Sequence, residues 1–452
     1  MKSNPLIILL LLLSTINSID ISILKGEKLF NENTPIIVNI LSEEKKEKSS
    51  NVELICVIDV SGSMVGEKIE LVKQSLKLLL EMMGENDKLG LVLFNHHSQK
   101  LLDLTYTTTE NKKNIINLIN SIEANGGTYI LGGLEIAVNM LEKSSIQSKS
   151  KVIEKNKKNI SSAIILLSDG MDNRMDHIEI GNGLKDLTKK LDLGFTLHTF
   201  GYGKDHDPKI MNTLATIRDG GFYYVEEYKK VAEYFVNVLG ACVSTISERG
   251  ILKIKSQYNI IKVYGLKDLF KYELKNNYFE TEMLQIMSGK EYTYVFEIKI
   301  PDDKYDEDDF IDVEFEYMDG SNGKKYAIKK NKIEKMDKGN QEKANNEYLR
   351  VALYENMNEV TELTENNKKD EAEEKLKDIK KNLKKRKHVP QNYIRDINNY
   401  EGIFYGNKVG GVPKMQSLSR EGMMKRQGQT FSFSNSIQRK MVYAVREAQG
   451  DL

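Results

Sequence analysis

Val52-Glu53-Leu54-Ile55-Cys56-Val57-Ile58-Asp59-Val60-Ser61-Gly62-Ser63 is an apolar run that stops at a carboxylate and breaks into hydroxyls and glycine. A run this apolar and this short suits a strand buried on both faces, as in a parallel sheet. The stretch after it, from about Glu67 to Met83, places Ile69, Val72, Leu76, Leu79, Leu80 and Met83 at helical spacing. Two further oxygen-bearing loops follow, Gly126-Gly127-Thr128 and Ser168-Asp169-Gly170, the second again capping an apolar run, Ala163 to Leu167. Each loop leaves the carboxyl end of an expected strand or opens a helix, the edge where open parallel sheets bind ligands. Together the loops offer two carboxylates, Asp59 and Asp169, and three hydroxyls, Ser61, Ser63 and Thr128. Oxygen donors without Cys or His describe a hard-cation site suited to Mg²⁺, with Mn²⁺ and Ca²⁺ as alternatives.

Outward from that core the alternation continues. Strands are expected at Leu89–Phe94, Leu101–Leu104 (an edge), Ala163–Leu167, Phe195–Thr199 and Phe222–Val225. Helices are expected at Glu110–Ile122, Leu131–Leu141, Leu184–Leu191, Pro208–Ile217 and Lys229–Ser244, with a disordered loop at Ser144–Asn159. This pattern predicts an α/β doubly wound, mainly parallel sheet over residues 51–247. After Arg249-Gly250 the texture changes to short strands without helices, over 248–336, with a hairpin turn at Asp319-Gly320-Ser321-Asn322-Gly323. That stretch predicts an antiparallel β-sandwich. The leading strands within 19–50, the second being Ile36–Leu41, are expected to pair into it, which makes the α/β unit an insertion. Residues 341–405 carry Leu349, Leu353, Val360 and Leu363, then Ala372, Leu376, Ile379 and Leu383, the stripes of a helical hairpin, followed by a short helix near Tyr393–Phe404. Residues 406–452 are expected to form a flexible basic tail.

The 452 residues suffice for two or three cores, and 66 basic against 66 acidic residues leave no global field to attract nucleic acid. The balance is uneven: residues 321–452 hold 28 Lys/Arg against 18 Asp/Glu. Lys2, the apolar Leu6–Leu13 and the small polar Ser14–Ser18 predict a signal peptide at 1–18, too short to span a bilayer. That places the mature chain in the secretory pathway or outside the cell, with a cytoplasmic location as the alternative, and with no transmembrane span. The two cysteines, Cys56 and Cys242, are expected to be buried small hydrophobes rather than a bridge. Asn159-Ile160-Ser161 is the lone glycosylation sequon, expected in a loop.

These residues resemble the von Willebrand factor type A domain. Asp59-Val60-Ser61-Gly62-Ser63 is similar to that family's DxSxS signature, Thr128 to its second-loop threonine and Asp169 to its third-loop aspartate. The resemblance covers about Val52 to Ser247. Ile165-Leu166-Leu167-Ser168-Asp169-Gly170 and His198-Thr199-Phe200-Gly201-Tyr202-Gly203 bring it nearer to a eukaryotic group with a C-terminal Vwaint region, which includes plant proteins bearing a RING finger. Two cysteines cannot build a RING, so ligase activity does not carry over. The resemblance implies a metal-ion-dependent adhesion site. In it Ser61, Ser63 and Thr128 reach the ion directly, and Asp59 and Asp169 directly or through water. It implies a non-enzymatic module that captures an Asp or Glu of a protein partner. The alternative is an intracellular scaffold in ubiquitin-related or trafficking assemblies.

Other motifs carry less. His96-His97 and Asp205-His206-Asp207 lie in separate loops without a third ligand. Asp302 to Asp309 lacks the spacing and central glycine of a calcium loop. Asp172 suits either a second layer around the ion or the surface. Ser61 and Ser63 have no neighbouring His to activate them, and no Walker loop, HExxH or GxSxG occurs.

Overall fold

The computed structural model describes residues 19–29, 31–44, 50–150, 159–189, 191, 193–203, 208–225, 228–265, 271–319, 324–384, 389–406 and 415. The expected leader at 1–18, Asp205-His206-Asp207, the centre of the 319–323 turn, most of the basic run after Lys384 and nearly all of the tail lie outside them.

The described chain opens with two strands, β1 (Ile19–Lys25) and β2 (Thr34–Ser42), paired antiparallel. It then enters a six-stranded sheet built on β3 (Ser50–Asp59). β3 lies parallel between β4 (Lys88–Phe94) and β6 (Asn159–Ser168), while β5 (Ser98–Tyr106) runs antiparallel along the outer edge of β4. β7 (Phe195–Tyr202) and β8 (Phe222–Val225) extend the sheet beyond β6, again parallel. Alternate residues of β3 feed two cores. Leu54, Cys56 and Ile58 pack with helices α1 (Glu67–Met82), α2 (Thr109–Asn120) and α6 (Tyr228–Val243). Ile55 and Val57 pack with α3 (Ile130–Ser150), α4 (His177–Thr188) and α5 (Pro208–Ile217). Burial on both faces is why β3 runs apolar without alternation from Leu54 to Ile58.

Beyond α6 the chain turns antiparallel. β1 and β2 continue through β15 (Glu291–Ile298) to β11 (Ile260–Val263), forming one sheet. Opposite it lies a five-stranded sheet of β12 (Lys271–Lys275), β13 (Tyr278–Met283), β10 (Gly250–Ser256), β16 (Ile311–Met318) and β17 (Lys325–Lys330). Short β9 (Thr245–Ser247) and β14 (Ile286–Met287) pair at the junction with the α/β unit. Ile21, Ile23, Ile36, Val38 and Ile40 share one core with Leu252, Ile254, Phe279 and Phe315, so the first two strands and the last strands bury a common interior. A 28-residue helix, α7 (Lys338–Glu365), crosses the outer face of β1 and β2, then forms a second core with α8 (Lys369–Lys384) and α9 (Gln391–Tyr405). The fold class is the expected one: a doubly wound sheet, an antiparallel sandwich and a C-terminal helical region.

Three local expectations are corrected. The run from Ser144 to Ser150 is helical, an extension of α3 rather than a loop. The sequon is not in a loop: Asn159 and Ser161 belong to β6, and the Ser161 hydroxyl is buried against Thr245. Strand β12 has no counterpart in the sequence reading, because its two apolar residues, Tyr272 and Leu274, are exposed. Cys56 and Cys242 are both buried free thiols, as expected.

Candidate metal centre

Asp59 closes β3, and the chain then turns through Ser61 and a single 3-10 turn, Gly62–Met64, before α1 begins. Backbone bonds fix this first loop to its neighbours. Val60 N–H donates to Phe94 O at 2.8 Å, Gly62 N–H to Gly126 O at 2.8 Å, and Asn125 N–H to Val60 O at 2.7 Å. Gly126 adopts φ +82°, and a Cβ there would meet the His96 ring at 2.5 Å. Only glycine lets the second loop pass so closely beneath that imidazole.

The second loop is tied to the third by two side chains. Asn173 Oδ1 accepts from Thr128 N–H at 2.7 Å, and Asn173 N–H donates to Thr128 O at 3.2 Å. Asp172 Oδ2 accepts from Ile130 N–H at 2.7 Å, at the start of α3, while its Oδ1 accepts from Arg174 and Met175 N–H. Asp172 is therefore a clamp between loops. The third loop returns to the first through Ser168, whose hydroxyl donates to Asp59 Oδ2 at 2.5 Å and accepts from Gly170 N–H at 2.8 Å. The three loops form a closed circuit of hydrogen bonds.

Within that circuit the expected residues are brought together unevenly. Asp59 and Asp169 are both fully buried, Ser61 and Thr128 nearly so, and Ser63 is exposed. The Asp59 carboxylate also accepts from Ser61 N–H at 2.9 Å. Burial pushes its pKa up to about 6; the Ser168 and Ser61 hydrogen bonds pull the other way, and the negative charge of Asp169 adds to the rise. The Ser61 and Ser63 hydroxyls lie 3.0 Å apart. Asp169 Oδ2 is paired with the Lys68 ammonium at 3.0 Å, while its Oδ1 is buried with no hydrogen-bond partner among the described residues. Lys68, from the first turn of α1, escaped the sequence reading, and Ser168 entered it as part of the third loop without a role of its own. No motif separates a lysine facing the loops from one facing solvent.

Two tests bear on whether a hard cation fits. Adjacent oxygens of an octahedron with bonds of about 2.1 Å lie about 3.0 Å apart, which is the separation of the two serine hydroxyls. A buried carboxylate oxygen without a partner is costly unless something electropositive meets it, and Asp169 Oδ1 is such an atom. The donor set fits a hard ion. No group of three or more His, Cys, Asp or Glu side chains that could hold a metal occurs among the described residues, so any ion here depends on hydroxyls. His96 and His97 are exposed at the rim with their rings in tilted contact, centroids 4.4 Å apart, and Arg174 donates to His96 O and lies over the Tyr129 ring.

Comparison with known proteins bears on the family and fold of this region. Residues 53–237 match the model of the von Willebrand factor type A domain. Over 276 residues the chain is 25% identical to the uncharacterized protein YfbK of Escherichia coli, covering 60% of this chain and 45% of that protein. Over 133 residues it is 27% identical to the probable E3 ubiquitin-protein ligase WAVH2 of Arabidopsis thaliana, covering 29% of this chain and 17% of that protein. The chain thus spans less than half the length of these curated relatives. Among solved structures, the ArnB paralog VWA2 from Sulfolobus acidocaldarius aligns with a TM-score of 0.53 at 17% identity, over 91% of this chain and 99% of that one. That likeness is one of fold.

Proposed function

We propose that the von Willebrand factor type A domain carried by this chain is a non-enzymatic, Mg²⁺-dependent binding module that captures an acidic side chain of a protein partner. The observation that carries the reading is the buried carboxylate pair, Asp59 and Asp169, held at the end of the sheet beside the Ser61–Ser63 hydroxyl pair. Asp59, Ser61, Ser63, Thr128 and Asp169 would hold the ion. When bound, it supplies a Lewis-acidic position for an incoming carboxylate. Neutral hydroxyls make up most of the donor set, so these residues leave the ion's charge only partly satisfied. Ser168 keeps Asp59 oriented, and Asn173 and Asp172 keep Thr128 in place. Exposed Arg174 and the His96-His97 pair give the rim donors that favour an acidic ligand.

Nothing in the arrangement supplies a general base for chemistry. Asp59, the one carboxylate among the described residues with a raised pKa, is sealed beneath Ser168 and Ser61, so the reading is of binding rather than hydrolysis. No helix among the described residues is long and apolar enough to cross a membrane. On the reading of residues 1–18 as a leader, the module belongs to the secretory pathway or the cell exterior, with the cytoplasm as the alternative.

The test is calorimetric titration of Mg²⁺ and Mn²⁺ into the full chain and into Asp59→Ala, alongside partner capture in Mg²⁺ and in EDTA. Expected are saturable metal binding lost in the variant and partner capture lost on chelation. Capture indifferent to both EDTA and Asp59→Ala would remove the mechanism.

A further inference from the structure

The Asp169 carboxylate divides its two oxygens between different neighbours. Oδ2 holds the Lys68 ammonium at 3.0 Å, and Oδ1 is buried without a hydrogen-bond partner among the described residues. The pair is well withdrawn from solvent, with side-chain exposures of 20% for Lys68 and 0% for Asp169. Lys68 is anchored by its backbone in the first turn of α1, directly after the loop that carries Ser61 and Ser63. Its ammonium can therefore leave Asp169 only by swinging its four-carbon stem outward, away from the carboxylate pair.

We propose that Lys68 is a resident cation of this site that competes electrostatically with the divalent ion for Asp169 and so sets a deliberately weak metal affinity. The proposal rests on the metal-binding reading above. With Lys68 in place, one positive charge already offsets one of the two buried carboxylates. A divalent ion drawn to Oδ1 would share that carboxylate with an ammonium bonded to its other oxygen. Two cations on one buried carboxylate repel each other, and a largely buried site screens that repulsion less than bulk water does. The same charge favours the next step. A partner's carboxylate approaching the ion meets Lys68 as a second positive group, so it gains where the bare metal loses. By linkage, the acidic ligand and the metal then strengthen each other's binding. A site tuned this way binds the ion loosely alone and firmly once an acidic ligand arrives.

The experiment measures Mn²⁺ binding to the full chain by the electron paramagnetic resonance signal of free Mn²⁺, for wild type, Lys68→Met, Lys68→Gln, Lys68→Arg and Asp59→Ala. Far-ultraviolet circular dichroism of each variant checks that it is folded. Lys68→Met and Lys68→Gln are expected to bind Mn²⁺ at least about ten-fold more tightly than wild type. Lys68→Arg should stay within about two-fold, since the charge is kept. Without metal, Lys68→Met should melt below wild type, because Asp169 loses its counter-ion, and saturating Mn²⁺ should raise its melting temperature by more than it raises wild type's. Equal or weaker Mn²⁺ binding by both neutral variants, with wild type still binding and Asp59→Ala not, overturns the role of Lys68 and leaves the metal site standing. Absence of Mn²⁺ binding in wild type and both neutral variants overturns the metal reading and this proposal with it. Binding that appears only in the neutral variants supports the competition in its strongest form.

Discussion

His198 lies in the middle of β7 with both ring nitrogens engaged: Nδ1 accepts from Gly221 N–H at 3.0 Å, and Nε2 lies 3.1 Å from the Thr196 hydroxyl. Burial lowers its pKa from 6.5 to about 3, so the folded protein keeps the imidazole neutral where the unfolded chain would protonate it. Its contribution to stability is therefore complete above about pH 6.5 and is lost as pH falls toward 3. Between pH 6.5 and 5 the loss from this residue should be about 2 kcal/mol. Urea denaturation at pH 7 and pH 5 should show a smaller drop for His198→Gln than for wild type; equal drops would refute the assignment. Ser168 makes a second prediction at this scale. Its hydroxyl is both donor to Asp59 and acceptor for Gly170, so Ser168→Ala should cost about 1–3 kcal/mol in the same assay and weaken Mg²⁺ binding in calorimetry. Unchanged metal affinity would mean that Asp59 needs no second anchor. Asp59, Ser61, Ser63, Thr128 and Asp169 were legible as candidate ligands because carboxylates and hydroxyls in loops at the carboxyl edge of a parallel sheet are a chemical signature. Ser168, Asn173 and Lys68 were not. Their roles come from which way a loop or helix turn faces, and composition does not encode that.

Between residues and the whole, the junction strands decide how the α/β unit sits on the sandwich. β9 and β14 bring Thr245 and Gln285 against the start of the central sheet. Ser50 Oγ donates to Thr245 O at 2.7 Å, and Gln285 Nε2 donates to Ser161 Oγ at 3.1 Å and Ser162 O at 3.2 Å. All these groups are buried, so each lost bond leaves a polar atom without water. Gln285→Ala is expected to destabilise the protein by about 1–3 kcal/mol, read as a lowered urea midpoint; a midpoint unchanged from wild type would show that the junction is hydrated. The same seam explains why Asn159-Ile160-Ser161 misleads. The threefold pattern is intact, but Ser161 is spent on Thr245 and Gln285. Helix α3 misled in the opposite way. Its apolar stripe ends near Leu141, yet lysine and glutamine sustain a helix without one, so the element outruns its hydrophobic signal.

At the scale of the molecule, the first strands and the last helices hold each other. β2 pairs with β15 along its whole length, from Thr34↔Ile298 to Leu41↔Glu291, although the α/β unit lies between them in sequence. The alternation of isoleucines in 19–41 made that partnership legible. The seat of α7 on the resulting sheet was not, since its key is a single carboxylate. Glu297 Oε1 accepts from the Tyr264 hydroxyl at 2.5 Å and the Tyr348 hydroxyl at 3.1 Å, while Oε2 accepts from Asn33 at 2.8 Å. Tyr348 belongs to α7, Tyr264 follows β11 and Asn33 precedes β2, so one side chain joins both ends of the sandwich to the helical region. Replacing Glu297 by alanine would remove the shared acceptor of the Tyr264 and Tyr348 hydroxyls, which still bond each other at 3.2 Å, and of the Asn31 and Asn33 amides. The cost should be about 3 kcal/mol or more, because the network fails as a unit. Glu297→Gln, which keeps an acceptor oxygen, should cost less. Limited proteolysis would separate local from global effects: if Glu297 seats the helix, Glu297→Ala is cut within residues 331–405 well before wild type, while the α/β unit resists equally in both. Simultaneous loss of both regions would mean that the helices and the α/β unit unfold as one, and that nothing at the sandwich can move without disturbing the loops around Asp59.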